Sequence, residues 1–391
     1  MFPRMNNPTP YLLTIILILF TSGCHSGKKG EHHEFFEPYT DHVELRHAKG
    51  FQIDRADDHT RLTILNPWSN DGEPYAVYYL YPTLPEKLPS DGISIQIPVS
   101  SLVVNSFSYF EFLSLLGETD AIKGVTDGFR IYNPLILEKI EQGVISDMGD
   151  PFQPNLEQVM TVKPDAVINS AYAQVDSYSE RLTRAGIPVI YSLEWMENEP
   201  LARAEWIRMI AAFFGKDLQA DSLFAEIEQR YNFAREQIPT NPVPPSLLAG
   251  DNFQGTWYVP GGKSFNAALF RDAGLQYRYS DNRESGSIGL DIESVLTQFS
   301  AADYWFGCES ESYAELAEKD AKYLLLNAVK KRQVFNKHNR TTENGGNDYF
   351  ESGAAHPDKV LSDLIRAVYP EALPGHSFTY IKPLEEEPFR E

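Results

Sequence analysis

The sequence predicts an α/β protein of two α/β lobes bridged by a long helix, with an N-terminal antiparallel strand segment packed on the first lobe. Three observations carry that reading. The stretch 217–238 reads as one uninterrupted helix, spanning roughly 30 Å, about one small domain. Strand–helix alternation runs on both sides of it. The two runs also echo each other. Leu156-Glu157-Gln158-Val159-Met160 and then Pro164-Asp165 precede a strand at Ala166-Val167-Ile168. Ile292-Glu293-Ser294-Val295-Leu296 and then Ala302-Asp303 precede a strand at Tyr304-Trp305-Phe306. Helix-then-strand is common enough for chance to supply a match. A shared Glu at the helix start and a shared Asp before the strand favour true similarity between the lobes.

The chain has 391 residues, which suggests two to three domains. Its formal net charge of −21 argues against nucleic acid or an anionic membrane surface as partner. A small anionic ligand, which feels the local field of its pocket, is not excluded by that charge. Residues 1–23 read as a signal peptide: Arg4 in a polar leader, an apolar core from Tyr11 to Phe20 too short for a membrane span, then Thr21-Ser22-Gly23-Cys24. Small residues before a Cys here resemble a bacterial lipoprotein signal, with Cys24 as the lipidated residue. An ordinary secretory signal with an incidental Cys is the alternative. Lipid on Cys24 would hold the protein to a membrane without a transmembrane helix. Only Cys308 would then remain, so neither an intramolecular disulfide nor a Cys-based metal site is expected.

Residues 24–40 read as a flexible tether, and 41–95 as a β-rich segment of antiparallel strands separated by turn signals at Asp57-Asp58 and Asn70-Asp71-Gly72. Residues 96–198 read as the N-terminal lobe. Its strands are Ser101 to Val104, Ile122 to Val125, Ala166 to Asn169 and Gly186 to Tyr191, and Ser106 or Ser108 caps a helix closed by Gly117. Residues 199–239 hold the linking helices. In the longest, Leu218, Leu223, Phe224, Ile227 and Tyr231 make the apolar stripe, Asp217 is the N-cap, and prolines from 239 on prevent continuation. Residues 240–391 read as the C-terminal lobe, with strands at Ser246 to Ala249, Tyr304 to Phe306 and Gln333 to Phe335. The stretch 251–262 reads as a loop.

In open α/β sheets, ligands sit outside the carboxyl ends of the strands. Two facing lobes put two such edges around one cleft. The candidates after the first-lobe strands are Ser106, Phe129, Arg130, Tyr132, Tyr172 and Trp195. Those of the second lobe are Phe253, Trp257, Tyr258, Glu309, Asn347 and Tyr349. The set is aromatic, which suits a bulky, flat chelate. Arg130 could pair with a carboxylate or catecholate oxygen. Trp257 and Tyr258 could instead fill the lobe core, and Arg130 could belong to a surface ion pair.

Several segments in order resemble a known family, the bacterial substrate-binding proteins of ABC importers for iron–siderophore complexes and cobalamin. They are Pro154-Asn155-Leu156-Glu157 with Lys163-Pro164-Asp165; Gly186-Ile187-Pro188-Val189; Pro200 to Ile207; Trp257 to Ser264; and Asn347-Asp348-Tyr349-Phe350-Glu351. The resemblance covers about residues 95–380. It implies a type III periplasmic binding protein: two lobes, a bridging helix, modest hinge motion, no catalytic step and no cofactor. The ligand would be a ferric siderophore or similar metal chelate, with cobalamin as the alternative. The partner would be an ABC permease in the inner membrane, docked through acidic residues on each lobe. Glu157 and Glu293 are quasi-equivalent candidates for that docking, with Asp176 and Glu180 as rivals. Favourable placement of Glu at a helix N-terminus explains them equally without docking.

The implied location is the periplasm, as a lipid-anchored monomer. An enzyme on two lobes lacks support: no Cys cluster, nucleophile elbow or nucleotide loop is present. A bare zinc or manganese receptor needs converging His and carboxylates. Residues 95–195 contain no His, and His338, His356 and His376 are the only ones in the second lobe.

Overall fold

The computed structural model describes residues 39, 41–69, 71–240 and 243–386. The expected signal peptide, Cys24 and nearly all of the expected tether lie outside the described residues. Among the described residues, no helix is long and apolar enough to cross a membrane.

The N-terminal segment forms a five-stranded sheet. Asp41–His42, Phe51–Arg55, Thr60–Leu65 and Pro74–Tyr81 pair antiparallel in chain order. Ile93–Gln96 pairs parallel to Pro74–Tyr81, with Tyr78 opposite Ile93, so the expected antiparallel pairing does not extend to the last strand. The connection 82–92 is long enough to carry the chain back to the same end, as parallel pairing demands. Alternation gives the sheet two faces. Phe51, Ile53, Leu62, Ile64, Tyr78 and Leu80 join the core of the first lobe, whereas Val77, Tyr79 and Tyr81 form a small cluster on the opposite face. The Tyr78 hydroxyl donates to the Val189 carbonyl (2.9 Å) and accepts from the Tyr191 N–H (2.9 Å), on the outer strand of the first-lobe sheet.

That sheet has five parallel strands in the order Val189–Ser192, Ala166–Ser170, Leu102–Val104, Ile122–Val125, Ser146–Asp147. The second lobe repeats the plan with Gln276–Tyr277, Ser246–Ala249, Tyr304–Phe306 and Val334–Asn336 in parallel, edged by antiparallel Lys382–Pro383. The echo in the sequence is structural. Helices Leu156–Val162 and Ile292–Phe299 carry Glu157 and Glu293 in their first turns, capped by Asn155 (to Gln158 N, 3.2 Å) and Asp291 (to Ser294 N, 2.6 Å). Asp165 accepts from Ser100 N and Oγ (2.8 and 2.9 Å), and Asp303 accepts from Ser246 N and Oγ (3.1 and 2.9 Å). In each lobe the Asp ties the returning strand to the start of the strand it pairs with.

The bridging helix runs Asp217–Glu236. Ala220, Phe224, Ile227, Tyr231 and Ala234 make its buried stripe, packed on helices Ile207–Ala212 and Pro357–Val368. Leu218 is 83% exposed and falls outside that stripe. Asp217 is not the cap either. Gly215, at φ +64°, ends the preceding segment, Lys216 occupies the cap position, and the Asp217 carboxylate accepts from Arg55 (3.0 Å). One core runs from the N-terminal sheet through the first lobe and the bridging helix into the second lobe, and a separate core surrounds Trp257 and Trp305.

Candidate functional site

Ligand-binding residues on this plan should follow the carboxyl ends of the strands. Lys337 and His338 directly follow Val334–Asn336, Gly307 to Glu309 follow Tyr304–Phe306, and Trp195 follows Val189–Ser192 by three residues. These positions meet in a gap between the lobes.

A cavity of about 280 Å³ is lined by Trp195 and Arg203, which precede the bridging helix in the chain, and by Phe265, Lys337, Tyr349 and Phe350, which follow it. It shares Phe265, Lys337 and Tyr349 with a second cavity of about 260 Å³, which reaches Gly250, Tyr258 and Gly307. Phe350, 58% exposed, also lines a wider opening of about 590 Å³ with Phe107, Arg130, Glu309, His338 and Asn347.

Both cations in the first cavity rest on aromatic faces. The Arg203 guanidinium lies 4.2 Å from the Phe265 ring centroid, and Lys337 Nζ lies 4.4 Å from that of Tyr349. Among the described residues no carboxylate lies within ion-pair distance of Lys337. Arg203 stands 3.8 Å from Glu194, whose carboxylate already accepts from Ser108 Oγ (2.7 Å) and Ser192 Oγ (2.8 Å). The Arg203 Nε is buried and meets no acceptor among the described residues. Two cations on the wall of one cavity give it a local positive field, part of which also acts on Glu309 at the neighbouring opening.

The strand Thr256–Pro260 positions Tyr258. Its residues alternate, so Trp257 and Val259 point into the lobe and Tyr258 points out, 44% exposed. Gly250 permits the approach: at φ +77°, a Cβ there would sit 1.8 Å from the Tyr258 carbonyl oxygen. Trp257 is therefore corrected from a cleft residue to a core residue. It is fully buried, donates from Nε1 to Ala249 O (2.9 Å), and packs against Trp305 (5.0 Å between centroids) and Tyr323 (5.7 Å).

The other candidates divide. Tyr258, Tyr349, Trp195, Arg130 and Asn347 line the cavities, as does Glu309. Asn347 also fixes its neighbours: it accepts from Tyr349 N (2.9 Å) and donates to Lys337 O (3.1 Å). Arg130 also has a long contact with Asp127 (3.7 Å). Ser106 is buried and bonds to Ser108 Oγ (3.2 Å), not to the cleft, and neither serine caps the helix Ser108–Leu115. Tyr132 belongs to a contact between the lobes, with its N–H on Glu351 (2.7 Å) and the Arg340 guanidinium over its ring (5.2 Å). Tyr172 is half-exposed beside Trp195 at the rim (6.1 Å). Phe129 and Phe253 are exposed and line none of the three cavities. Glu157 and Glu293 are exposed on matching helix starts, Glu293 near Lys322 (3.2 Å), whereas Asp176 caps its own helix through Tyr178 N (3.0 Å) and Ser179 N (2.9 Å).

Arg203, Phe265, Lys337 and Phe350 were not singled out from the sequence. The strand-end rule reaches Lys337 once Val334–Asn336 is placed. Arg203 projects from helix Pro200–Glu205, where that rule is blind.

At the edge of the wide opening the lobes are joined by buried polar contacts. Glu351 of the second lobe accepts from Tyr132 N (2.7 Å) and Asn133 N (3.0 Å) of the first, and His356 bonds Glu111 (2.6 Å). Burial pushes the Glu351 carboxyl up to about 7; the Tyr132 N–H opposes this and nearby Asp348 adds to it. The ordinary Glu value is 4.5, so the native state holds this proton more readily than the unfolded chain. Stability from Glu351 is therefore complete below about pH 4.5 and is lost as pH rises through about 7. Glu351→Gln removes that decline: its melting temperature, followed from pH 4.5 to 8, should fall less with rising pH than that of the wild type. Parallel profiles would show an ordinary carboxyl here. At the wide opening, hydrogen bonds to Glu309 and Glu311 (3.3 and 2.6 Å) hold His338 above its ordinary value against burial.

Two α/β lobes, a bridging helix and a cavity between strand ends define a two-lobed ligand-binding protein. The chain belongs to the periplasmic binding protein family, whose model matches residues 102–341, and its fold is the type III form. An uncharacterized lipoprotein of Methanocaldococcus jannaschii is 25% identical over 356 residues, covering 85% of this chain and 83% of the relative. A periplasmic heme-binding protein from Roseiflexus sp. RS-1 superposes with a TM-score of 0.55 at 19% identity, over 70% of this chain and 99% of its own. The triscatecholate siderophore-binding protein of Bacillus subtilis, complexed with ferri-bacillibactin, gives 0.53 at 18%, over 69% and 94%.

Proposed function

We propose that this protein is the membrane-anchored substrate-binding component of an ABC importer, and that it captures an anionic ferric chelate of the siderophore type between its lobes. The observation that carries this is the pair Arg203 and Lys337, which line one cavity and are both held on aromatic faces. Carboxylate or catecholate oxygens of a chelate would complete their partners, and Trp195, Phe265, Tyr349 and Phe350 would pack its apolar flanks. The names of the siderophore- and heme-binding relatives support the ligand class.

Absorbance of protein purified from its own host, followed by tryptophan fluorescence titration with ferric catecholates, ferric citrate, hemin and cobalamin, tests the reading. Quenching by the anionic iron chelates supports it. No response to any iron chelate, or a response to cobalamin alone, overturns it.

The anchor is proposed on Cys24. The Thr21-Ser22-Gly23-Cys24 pattern and the lipoprotein name of the archaeal relative support it. Cys24→Ala should move the protein from the membrane to the soluble fraction, and a variant still sedimenting with membranes would remove the basis for lipidation. Delivery to the permease is proposed through exposed Glu157 and Glu293. Charge reversal at both should abolish uptake in cells while leaving ligand affinity intact, and unchanged uptake would reject that role.

A further inference from the structure

The N-terminal sheet lies outside the family match, which begins at residue 102. The heme-binding relative is matched over 99% of its own length but over only 70% of this chain. The sheet thus lies outside the part of the chain that the family model describes, and it delivers two aromatic side chains to the rim of the cleft.

Strands Thr60–Leu65 and Pro74–Tyr81 are joined by a loop bearing Trp68, with Tyr75 at the start of the second strand. Asn66 Oδ1 accepts from Trp68 N (3.0 Å) and fixes the turn. Tyr75 Oη donates to the Tyr172 carbonyl (3.0 Å), and its ring meets Tyr191 edge-on (5.0 Å). Trp68 then lies 5.9 Å from Tyr75 and 6.2 Å from Trp195, and Trp195 lies 6.1 Å from Tyr172. Four rings form a connected surface whose inner member, Trp195, lines the cavity of Arg203 and Lys337.

The indole N–H groups separate this surface from ordinary core packing. Trp206, Trp257 and Trp305 are buried and donate to Glu197, Ala249 O and Gly250 O (2.9, 2.9 and 2.7 Å). Trp68 and Trp195, the remaining two tryptophans, meet no acceptor among the described residues. Trp195 is partly exposed, Trp68 is half-buried beside it, and both indoles keep a donor for whatever extends out of the cavity.

We infer that the N-terminal sheet extends the binding cleft, and that Trp68, Tyr75, Tyr172 and Trp195 receive a planar aromatic, acceptor-bearing arm of the same anionic chelate whose iron-binding head lies at Arg203 and Lys337. This rests on the cleft reading above and adds the chemistry of the ligand's outer part. An arm stacked on these rings and accepting from an indole gains on the order of tenfold in affinity.

A matched pair of probes separates the two readings: a ferric tris-catecholamide, and the same chelate carrying a quinoline carboxamide on one arm. Wild-type protein should bind the extended chelate about tenfold more tightly than the bare one. Trp68→Ala should bring that ratio to about one, and Trp68→Phe should keep part of it. The ratio is insensitive to a general loss of folded protein. A wild-type ratio of one, or an undiminished ratio in Trp68→Ala, overturns the inference and leaves the cleft reading standing. Failure of wild-type protein to bind either chelate overturns this inference, and the cleft reading falls with it where ferric citrate and hemin also fail to bind.

Discussion

Replacing Trp257 by alanine should lower the unfolding free energy by about 3–5 kcal/mol, the usual cost of removing a fully buried large aromatic. The ring is enclosed by Trp305 and Tyr323, and its loss also leaves the Ala249 carbonyl without its indole donor. Urea unfolding followed by far-UV circular dichroism measures the loss. Tyr258→Ala, one residue on, should cost far less stability because that ring stands in the cleft. A Trp257→Ala protein of wild-type stability but impaired binding would return Trp257 to the cleft and undo the account of the Thr256–Pro260 strand.

The second large effect is on affinity. Arg203→Ala and Lys337→Gln should each weaken an anionic ferric chelate by about 10- to 100-fold, the range of one hydrogen bond to a charged group. The combined variant should also lose most of the dependence of affinity on salt, because the charge attraction that salt screens has been removed. Titration of each variant at two ionic strengths reads both quantities. Wild-type affinity in both variants would show that the ligand does not use these cations. Lys337→Gln should leave stability nearly unchanged, since that ammonium has no carboxylate partner among the described residues.

The plan of the fold was legible because it is written in local chemistry. The Asp before each returning strand could be read from the sequence, and Asp165 and Asp303 prove to tie their lobes in the same way. The strand-end rule likewise pointed to Trp195, Tyr258 and Glu309, which line the cavities. It failed where its premise failed. Residues 251–262 read as a loop, so Trp257 and Tyr258 were placed on the same side, whereas strand Thr256–Pro260 sends them to opposite faces. Arg203 was invisible because a helix, not a strand end, aims it, and the hydrogen bonds between the lobes at Glu351 depend on a pairing distant in sequence. Likewise, Leu218 stands nine residues before Ile227, about two and a half helical turns, which places it on the face opposite the buried stripe, where it is exposed.

The Tyr78 hydroxyl has a consequence for solubility. The strand Val189–Ser192 ends its sheet, and outward-facing peptide groups on a terminal strand invite pairing with another chain. One phenol answers both an outward carbonyl and an outward N–H of that strand, while the apolar face behind it covers the rest. The appended sheet thus serves as a guard rail: it closes a border along which copies of the protein would otherwise zip together.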